Sequence, residues 1–387
     1  TSLEAEGIDQ PLRAVVDVVS SLAAERWGTG VVERADVAWR IRPEDLSAFS
    51  RGEGPGDIPV VGKPQEPQPL DAPHPEADDD VPVRLLGRLA EAGVSGGLAI
   101  TERKPEWMRV KADMGPEYRR LKSVMRDLEL VTVCEEAGCP NIFDCWNDGT
   151  ATFMILGERC TRKCGFCLVD TRKPQPPDVD EPARVAEAVD KMALQYAVVT
   201  MVARDDLPDG GAAAVAATIR AIRDRNPATR VEVLISDLKG DPDDLGTVFE
   251  AAPDVLNHNI ETVPRLQRAV RPSASYARSL AVLARANQAG LVTKTSIIVG
   301  MGETPAEVEA TLADLAGIGV DIVTIGQYLR PTTNHLPIDR WWHPGEFAAL
   351  KRAGESLGIT HVEAGPLTRS SYHAKQAEQA ASTSADR

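Results

Sequence analysis

No apolar run in this 387-residue chain approaches the roughly 18 residues that span a bilayer, so no membrane-spanning helix is expected. The N-terminus, TSLEAEGIDQ, lacks the basic-then-apolar order of a secretory signal, which makes the cytoplasm the expected compartment. Because the chain starts on Thr rather than Met, it reads as processed or as the tail of a longer one. Basic charge is in deficit: 43 Lys and Arg face 58 Asp and Glu, for a net charge of −15. Without a broad basic field, neither nucleic acid nor an anionic membrane is an expected partner. Cysteine is scarce as well, and six in so long a chain cannot build a disulfide scaffold. What remains is ordinary for a globular protein, 43% hydrophobic and 26% charged. At roughly 150 residues per domain the length corresponds to two or three folded units.

The chain divides by composition. Residues 1–50 carry a helical pattern, with Leu12, Val15, Val16, Val19 and Leu22 at helix spacing. Residues 51–103 read as a linker. Its first part, to residue 82, is rich in Pro, Gly and acid and has too little apolar surface to offset the entropy of ordering. A weak helical signal covers 83–98. From residue 151 a rhythm of strand and helix begins. Strand-like runs are Thr152–Leu156, Ala197–Val202, Val231–Ile235, Val255–Ile260, Thr293–Val299 and Asp321–Ile325. Between them fall helical stretches at 182–195, 211–225, 242–251, 276–289 and 304–317; the last opens on a capping box, Thr304 to Glu307, with Pro305 at the first helical position. Six strands alternating with five helices predict an α/β fold with a parallel sheet. Six units are two short of a closed eight-fold barrel, so a partial (βα)6 TIM-like barrel over 151–340 is expected, with ligands at the C-terminal ends of its strands.

The cysteines carry the chemistry. All six lie between residues 134 and 167, and in a reducing compartment such clustering marks metal ligands or catalytic groups. Cys160, Cys164 and Cys167 form a C-x3-C-x2-C loop directly after the first barrel strand. Three thiolates on one loop can hold three irons of a [4Fe–4S] cluster and leave the fourth open to a chelating molecule. The competing reading is a zinc site, which usually pairs two C-x2-C arms or adds histidine, and no histidine is near. Cys134, Cys139 and Cys145 form a C-x4-C-x5-C triad that also needs a fourth ligand, and spacing alone does not name it.

The Cys160, Cys164 and Cys167 loop resembles the radical S-adenosylmethionine (SAM) enzymes. In that superfamily the open iron chelates SAM, and an electron from the reduced cluster cleaves the sulfonium to give a 5′-deoxyadenosyl radical that abstracts hydrogen from unactivated C–H bonds. The stretches TVCEEAGCPNIFDCW, ATFMILGERCTRKCGFCLVDT, RDDLPDGGA, PDVLNHNIETVPRLQRAVRP, TIGQYLRPTTNHLPIDRW and GPLTRSSYHA are similar to the lipoyl synthase family, over about Lys104 to His373. That resemblance implies an auxiliary-cluster extension over 104–150 and a C-terminal segment, 341–387, that closes the auxiliary site before a disordered tail. It implies a second [4Fe–4S] cluster held by Cys134, Cys139, Cys145 and the serine before the aromatic of an R-S-S-Y motif, here Ser371. The implied activity is a sulfurtransferase reaction, insertion of sulfur at C6 and C8 of an octanoyl-lysine, with the auxiliary cluster as sulfur donor. The implied partners are octanoylated lipoyl carrier domains (2-oxoacid dehydrogenase E2 subunits and the glycine cleavage H protein), reduced flavodoxin or ferredoxin, and an iron–sulfur cluster carrier.

Candidate SAM contacts are Thr200, Arg204, Asn259, Glu261 and Lys294, although Arg204 is equally able to pair with Asp205 or Asp206. Glycines 300 and 302 after the fifth strand would let an adenine lie close to backbone. Met201, Ala203 and Ser236 depart from the family pattern, near the barrel mouth. His335, His343, His361 and His373 lack metal spacing and read as core or surface; Trp107, Trp146, Trp341 and Trp342 read as packing. Residues 1–30 are similar to the C-terminal tail of an octanoyltransferase, without that family's catalytic Cys and Lys motifs; chance likeness of a simple helical pattern is the alternative. Two other functions compete: a methylthiotransferase acting on RNA or ribosomal protein, which should show a basic face, and a non-enzymatic zinc or cluster carrier.

Overall fold

The structure is a computed structural model that describes residues 83–109, 115–132, 139, 141–147 and 150–385. The helix expected within 1–50, the linker to residue 82, and Cys134 lie outside these residues.

One sheet of eight strands, in spatial order β1 to β8, frames the molecule. The short β1 (Val131–Thr132) runs antiparallel to β2 (Thr150–Ile155). From β2 onward every pairing is parallel: β3 (Tyr196–Met201), β4 (Arg230–Leu234), β5 (Val255–Asn257), β6 (Val292–Val299), β7 (Ile322–Gln327) and β8 (His361–Gly365). Among the described residues no pairing joins β8 to β1 or β2, so the barrel there is open at a seam. Before it come α1 (Val83–Glu91), α2 (Pro116–Asp127) and α3 (Ile142–Asn147). The crossover helices are α4 (Glu181–Met192), α5 (Ala212–Arg225), α6 (Pro242–Glu250), α7 (Tyr276–Gln288), α8 (Pro305–Gly317) and α9 (Pro344–Ser356). A last helix, α10, covers Ala374–Ala385.

Side-chain alternation splits the sheet into two faces. Ala197, Val199, Val231 and Val233 pack with α4 and α5, while Ile297, Val299, Val323, Ile325 and Val362 pack with α7 to α9. The opposite face is polar in its lower half. Glu232 accepts from Lys294 Nζ at 3.0 Å on both oxygens, from Tyr196 Oη at 3.0 Å and from Asn257 Nδ2 at 2.9 Å.

Two expectations are corrected. The linker does not run to residue 103: α1 and the turn after it dock on the barrel, because Leu89 and Val94 are buried among Ile260, Val299 and Tyr276, and Leu98 N–H donates to Ile338 O at 2.6 Å. Nor is the C-terminus simply a disordered tail. Ala374 packs on Tyr196 and Val198, Ala377 and Ala381 pack on Ile322, and Glu378 pairs with Arg230. The small side chains let α10 lie close beneath the strands, at their N-terminal ends. The chain therefore rises along β8, turns over residues 366–373 and descends into α10.

Candidate functional site

The loop that leaves β2 carries Cys160, Cys164 and Cys167, all partly buried. Its exit is fixed at Leu156, a positive-φ residue whose N–H donates to Glu181 Oε2 at 2.8 Å. Cys160 N–H then donates to Asp170 O at 2.8 Å, and Thr161 N–H to Ala203 O at 2.9 Å. Between the first two cysteines, Arg162 donates its backbone N–H to Cys160 Sγ at 3.4 Å. Its guanidinium forks onto Asp205 at 2.8 and 2.7 Å and reaches Asp237 at 2.6 Å, while Arg278 holds the other oxygen of Asp237 at 3.1 Å. Burial would raise the pKa of Asp237, but Arg162 and Arg278 outweigh it and hold the carboxyl well below the usual range. The far end of the loop is clamped by the 335–336 turn. His335 Nε2 lies 2.9 Å from Cys167 O, Leu336 N–H donates to Gly165 O at 2.9 Å, and a Cβ on Gly165 would come within 2.7 Å of the Leu336 side chain.

The sulfurs are held ready for charge that the chain alone does not neutralise. Burial pushes the Cys164 thiol up to about 11 and Cys167 up to about 12, with Arg271 opposing at Cys164 and the Val169 N–H opposing at Cys167. A metal inverts this preference by taking the place of the proton. No three described His, Cys, Asp or Glu side chains converge on one ion-sized point, and a cluster spreads its ligands over separate irons.

Asn259 and Glu261 stand beside this loop. Glu261 is within electrostatic reach of Cys164 and Cys167 and has φ +67°, a left-handed conformation that a non-glycine residue adopts only when held. It is held by backbone bonds to Ser296 O at 2.9 Å and from Ile298 N–H at 2.8 Å. Asn259 Nδ2 donates to Glu261 Oε1 at 3.0 Å, which leaves Asn259 Oδ1 and Glu261 Oε2 buried without a partner. Burial raises the Glu261 pKa. Two orphaned acceptors beside three thiols suit a ligand that brings donors, such as the amine of SAM. Thr200, 6% exposed, faces the same lumen from β3.

The structure does not bring Arg204 and Lys294 to this group as free cations. Arg204 forks onto Asp206 at 2.9 Å on both oxygens and donates to Leu156 O at 3.0 Å, so of the two readings open to it the internal ion pair is the one formed. Lys294, fully buried, belongs to the Glu232 network lower in the barrel. At Gly300 and Gly302 the space that a Cβ would fill is taken by Gln327 and by Val94. The Ala203 and Ser236 departures are mild, since Ala203 holds the cysteine loop through its carbonyl and Ser236 Oγ accepts from Leu238 N–H at 3.3 Å. Sequence reading missed the Arg162 clamp and His335, because partners 43 to 168 residues away leave no local signal.

On the other side of the mouth, Cys139 precedes α3 and Cys145 lies on it; Cys145 N–H donates to Asn141 O at 3.0 Å. Cys139, Cys145 and Cys160 all border one extended hydrophobic cluster. The C-terminal turn arrives here. Asn141 Nδ2 donates to Leu367 O at 2.7 Å, and the half-buried Arg369 acts on the Cys139 thiol, whose pKa burial raises despite that opposing charge. Ser371 is two residues beyond Arg369, with Tyr372 N–H returning to Arg369 O at 2.9 Å. Beside the cysteine loop, a cleft of 520 Å³ is lined by Arg159, Lys173, the Pro174–Pro177 run, Arg204 and Asp206.

Residues 154–315 match the model of the Radical SAM superfamily, and residues 94–139 match that of the N-terminal domain of lipoyl synthase. Among curated proteins, the lipoyl synthase of Mycolicibacterium paratuberculosis is 59% identical over 292 residues, 76% of this chain and 93% of the relative. That of Mycobacterium avium is 59% identical over 70% of this chain and 89% of its own length. That of Nocardia farcinica is 54% identical over 78% and 86%. Among solved structures, HydG, a maturase of the [FeFe]-hydrogenase, aligns with a TM-score of 0.42 at 16% identity, over 77% of this chain and 70% of that one.

Proposed function

The chain belongs to the lipoyl synthase family of radical SAM enzymes, and from that premise we propose that it inserts sulfur at C6 and C8 of an octanoyl chain borne on a lysine of a carrier domain. SAM and [4Fe–4S] clusters are the cofactors that membership brings. The observation that supports the sulfur-insertion reading is that Asn141, between Cys139 and Cys145, donates to Leu367 O and that Arg369 acts on Cys139, four and two residues before Ser371.

In this reading Cys160, Cys164 and Cys167 hold one cluster, and Cys134, Cys139, Cys145 and Ser371 hold the auxiliary one. A hydroxyl oxygen is a harder and more easily protonated donor than thiolate, so it gives the second cluster one labile corner. Arg162, locked by Asp205 and Asp237, keeps the first cysteine loop in a single shape before anything binds. Arg271 fixes the strand end by donating to Asn259 O and Ile260 O at 2.8 and 3.2 Å, so Asn259 Oδ1 and Glu261 Oε2 are pre-aimed acceptors for the SAM amine, with Thr200 on the opposite wall. When bound and reduced, the cofactors supply homolytic C–H activation and, from the auxiliary cluster, the sulfur. The expected partners are octanoylated E2 or H-protein domains, reduced flavodoxin or ferredoxin, and a carrier that rebuilds the consumed cluster.

Anaerobically purified protein should hold about eight irons per chain, two four-iron clusters. With SAM, dithionite and an octanoyl-lysyl peptide it should yield dithiolated peptide together with 5′-deoxyadenosine. Stoichiometric zinc in place of iron, or 5′-deoxyadenosine without thiolated peptide, would contradict the proposal.

A further inference from the structure

The chain as a whole is strongly acidic, yet the stretch that carries the first cysteine loop is not. Residues 158–173 hold five basic residues, Arg159, Arg162, Lys163, Arg172 and Lys173, against two acidic ones, Glu158 and Asp170. Arg162 is turned inward on its two carboxylates, but the other four reach the surface: Arg172 is 76% exposed, Arg159 28%, and both lysines are exposed. Leu168, directly after Cys167, is 44% exposed among them. Among the described residues the exposed Glu158 and Asp180 carry no ion pair, while most of the other neighbouring acids are engaged. Asp170 bridges Arg159 at 3.2 Å and Arg172 at 2.7 Å, Asp205 and Asp206 hold Arg162 and Arg204, and Asp178 pairs with Arg184 at 2.8 Å. Lys163 and Lys173 have no carboxylate partner among the described residues. The patch is also stiff, since Arg159 Nη1 donates to Lys173 O at 3.0 Å and three prolines follow within the cleft wall.

We propose that this basic face, Arg159, Lys163, Arg172 and Lys173 around Leu168, is the docking surface for an acidic one-electron carrier protein of the flavodoxin type. The inference rests on the radical SAM reading of the Cys160, Cys164 and Cys167 loop. An apolar centre with a charged rim is the usual anatomy of a transient interface. On a molecule of net charge −15, an acidic partner is repelled by most of the surface and steered to the place where the sign reverses. Here that place abuts the cysteines, so docking leaves only the loop between donor and cluster. The step itself moves one electron from the reduced flavin to the cluster and makes or breaks no bond.

The test compares two reductants on the full, cluster-loaded protein, reading 5′-deoxyadenosine formed from SAM. With reduced flavodoxin at low salt, Arg172→Glu/Lys173→Glu should be slower than wild type by about tenfold, the scale of electrostatic steering, and the gap should close as salt is raised. With dithionite, a small reductant that needs no docking, the two proteins should run alike. Arg119→Glu/Arg126→Glu, which reverses a second exposed basic stripe on α2, should leave the flavodoxin rate unchanged. An unchanged flavodoxin rate in the first variant, an equal loss with both reductants, or the same loss in the α2 variant would overturn the proposal. Absence of dithionite-driven cleavage in loaded wild type would instead overturn the radical SAM reading beneath it.

Discussion

Arg162 shows how one residue between two cysteines can set the shape of a loop. Its guanidinium joins three chain segments through Asp205 and Asp237, and Asp237 is wholly buried with Arg278 on its other oxygen. Asp237→Asn should leave the buried Arg278 guanidinium without a carboxylate and Arg162 with Asp205 alone, and cost about 3–5 kcal/mol in chemical denaturation, the range for breaking a buried pair. Asp205, 31% exposed, should cost clearly less when changed to Asn, because water replaces the lost partner. On the proposed assignment the cysteines separate by role. Cys164→Ala should abolish 5′-deoxyadenosine formation. Cys139→Ala and Ser371→Ala should keep it in part while thiolated peptide disappears, and full retention of thiolated product in Ser371→Ala would refute its place as a ligand. At this scale the sequence was legible wherever chemistry is local. Cysteine spacing lies within a few residues, whereas Lys294 and Arg204 at strand ends look the same whether the partner is a ligand or Glu232 and Asp206.

The elements near the mouth were legible from periodicity, and strands β2 to β7 begin within two residues of their expected starts. What escaped was β8, α9 and α10. β8 is short, with Val362 its only fully buried side chain, and α10 is made of small and polar residues that resemble a solvated tail until the barrel floor is present to receive them. The capping box of α8 is formed, and Glu307 there also takes a fork from Arg265 at 2.6 and 2.9 Å. The hydrogen bond from Arg265 outweighs partial burial and lowers the Glu307 pKa to about 2 from the ordinary 4.5. A carboxyl with a depressed folded-state pKa contributes stability above its unfolded pKa and loses it as pH falls through the folded one. Wild type should therefore melt above Glu307→Gln at neutral pH, and the gap should narrow between about pH 4.5 and pH 2; a gap independent of pH would contradict the assignment. Gly326 at the end of β7 has a separate duty. A Cβ there would meet Thr368 O and crowd Arg369 Nη1 at 3.1 Å. Gly326→Ala should displace the turn that leads to Ser371, at about 1–3 kcal/mol of overpacking. Thiolated product should then fall much further than 5′-deoxyadenosine, and equal falls would speak against a role confined to the C-terminal turn.

In the whole molecule, Cys139 and Cys145 pack against the same large hydrophobic cluster as Cys160 of the next segment. The seam between β1 and β8 is bridged by Asn141 and Leu367, and the turn that carries Ser371 is tethered on one side by β8 and on the other by α10 beneath the strands. An anchored turn could offer a weak ligand without being lost when that ligand lets go, as the proposed sulfur-donating cluster would require. The decisive measurement is the origin of the product sulfur. Protein whose clusters are rebuilt with heavy-isotope sulfide, freed of unbound sulfide and carried through a single turnover with SAM, dithionite and octanoyl-lysyl peptide should give a product in which both sulfurs are heavy. Product of natural isotopic mass would contradict the sulfur-donor role of the Cys134, Cys139, Cys145 and Ser371 site.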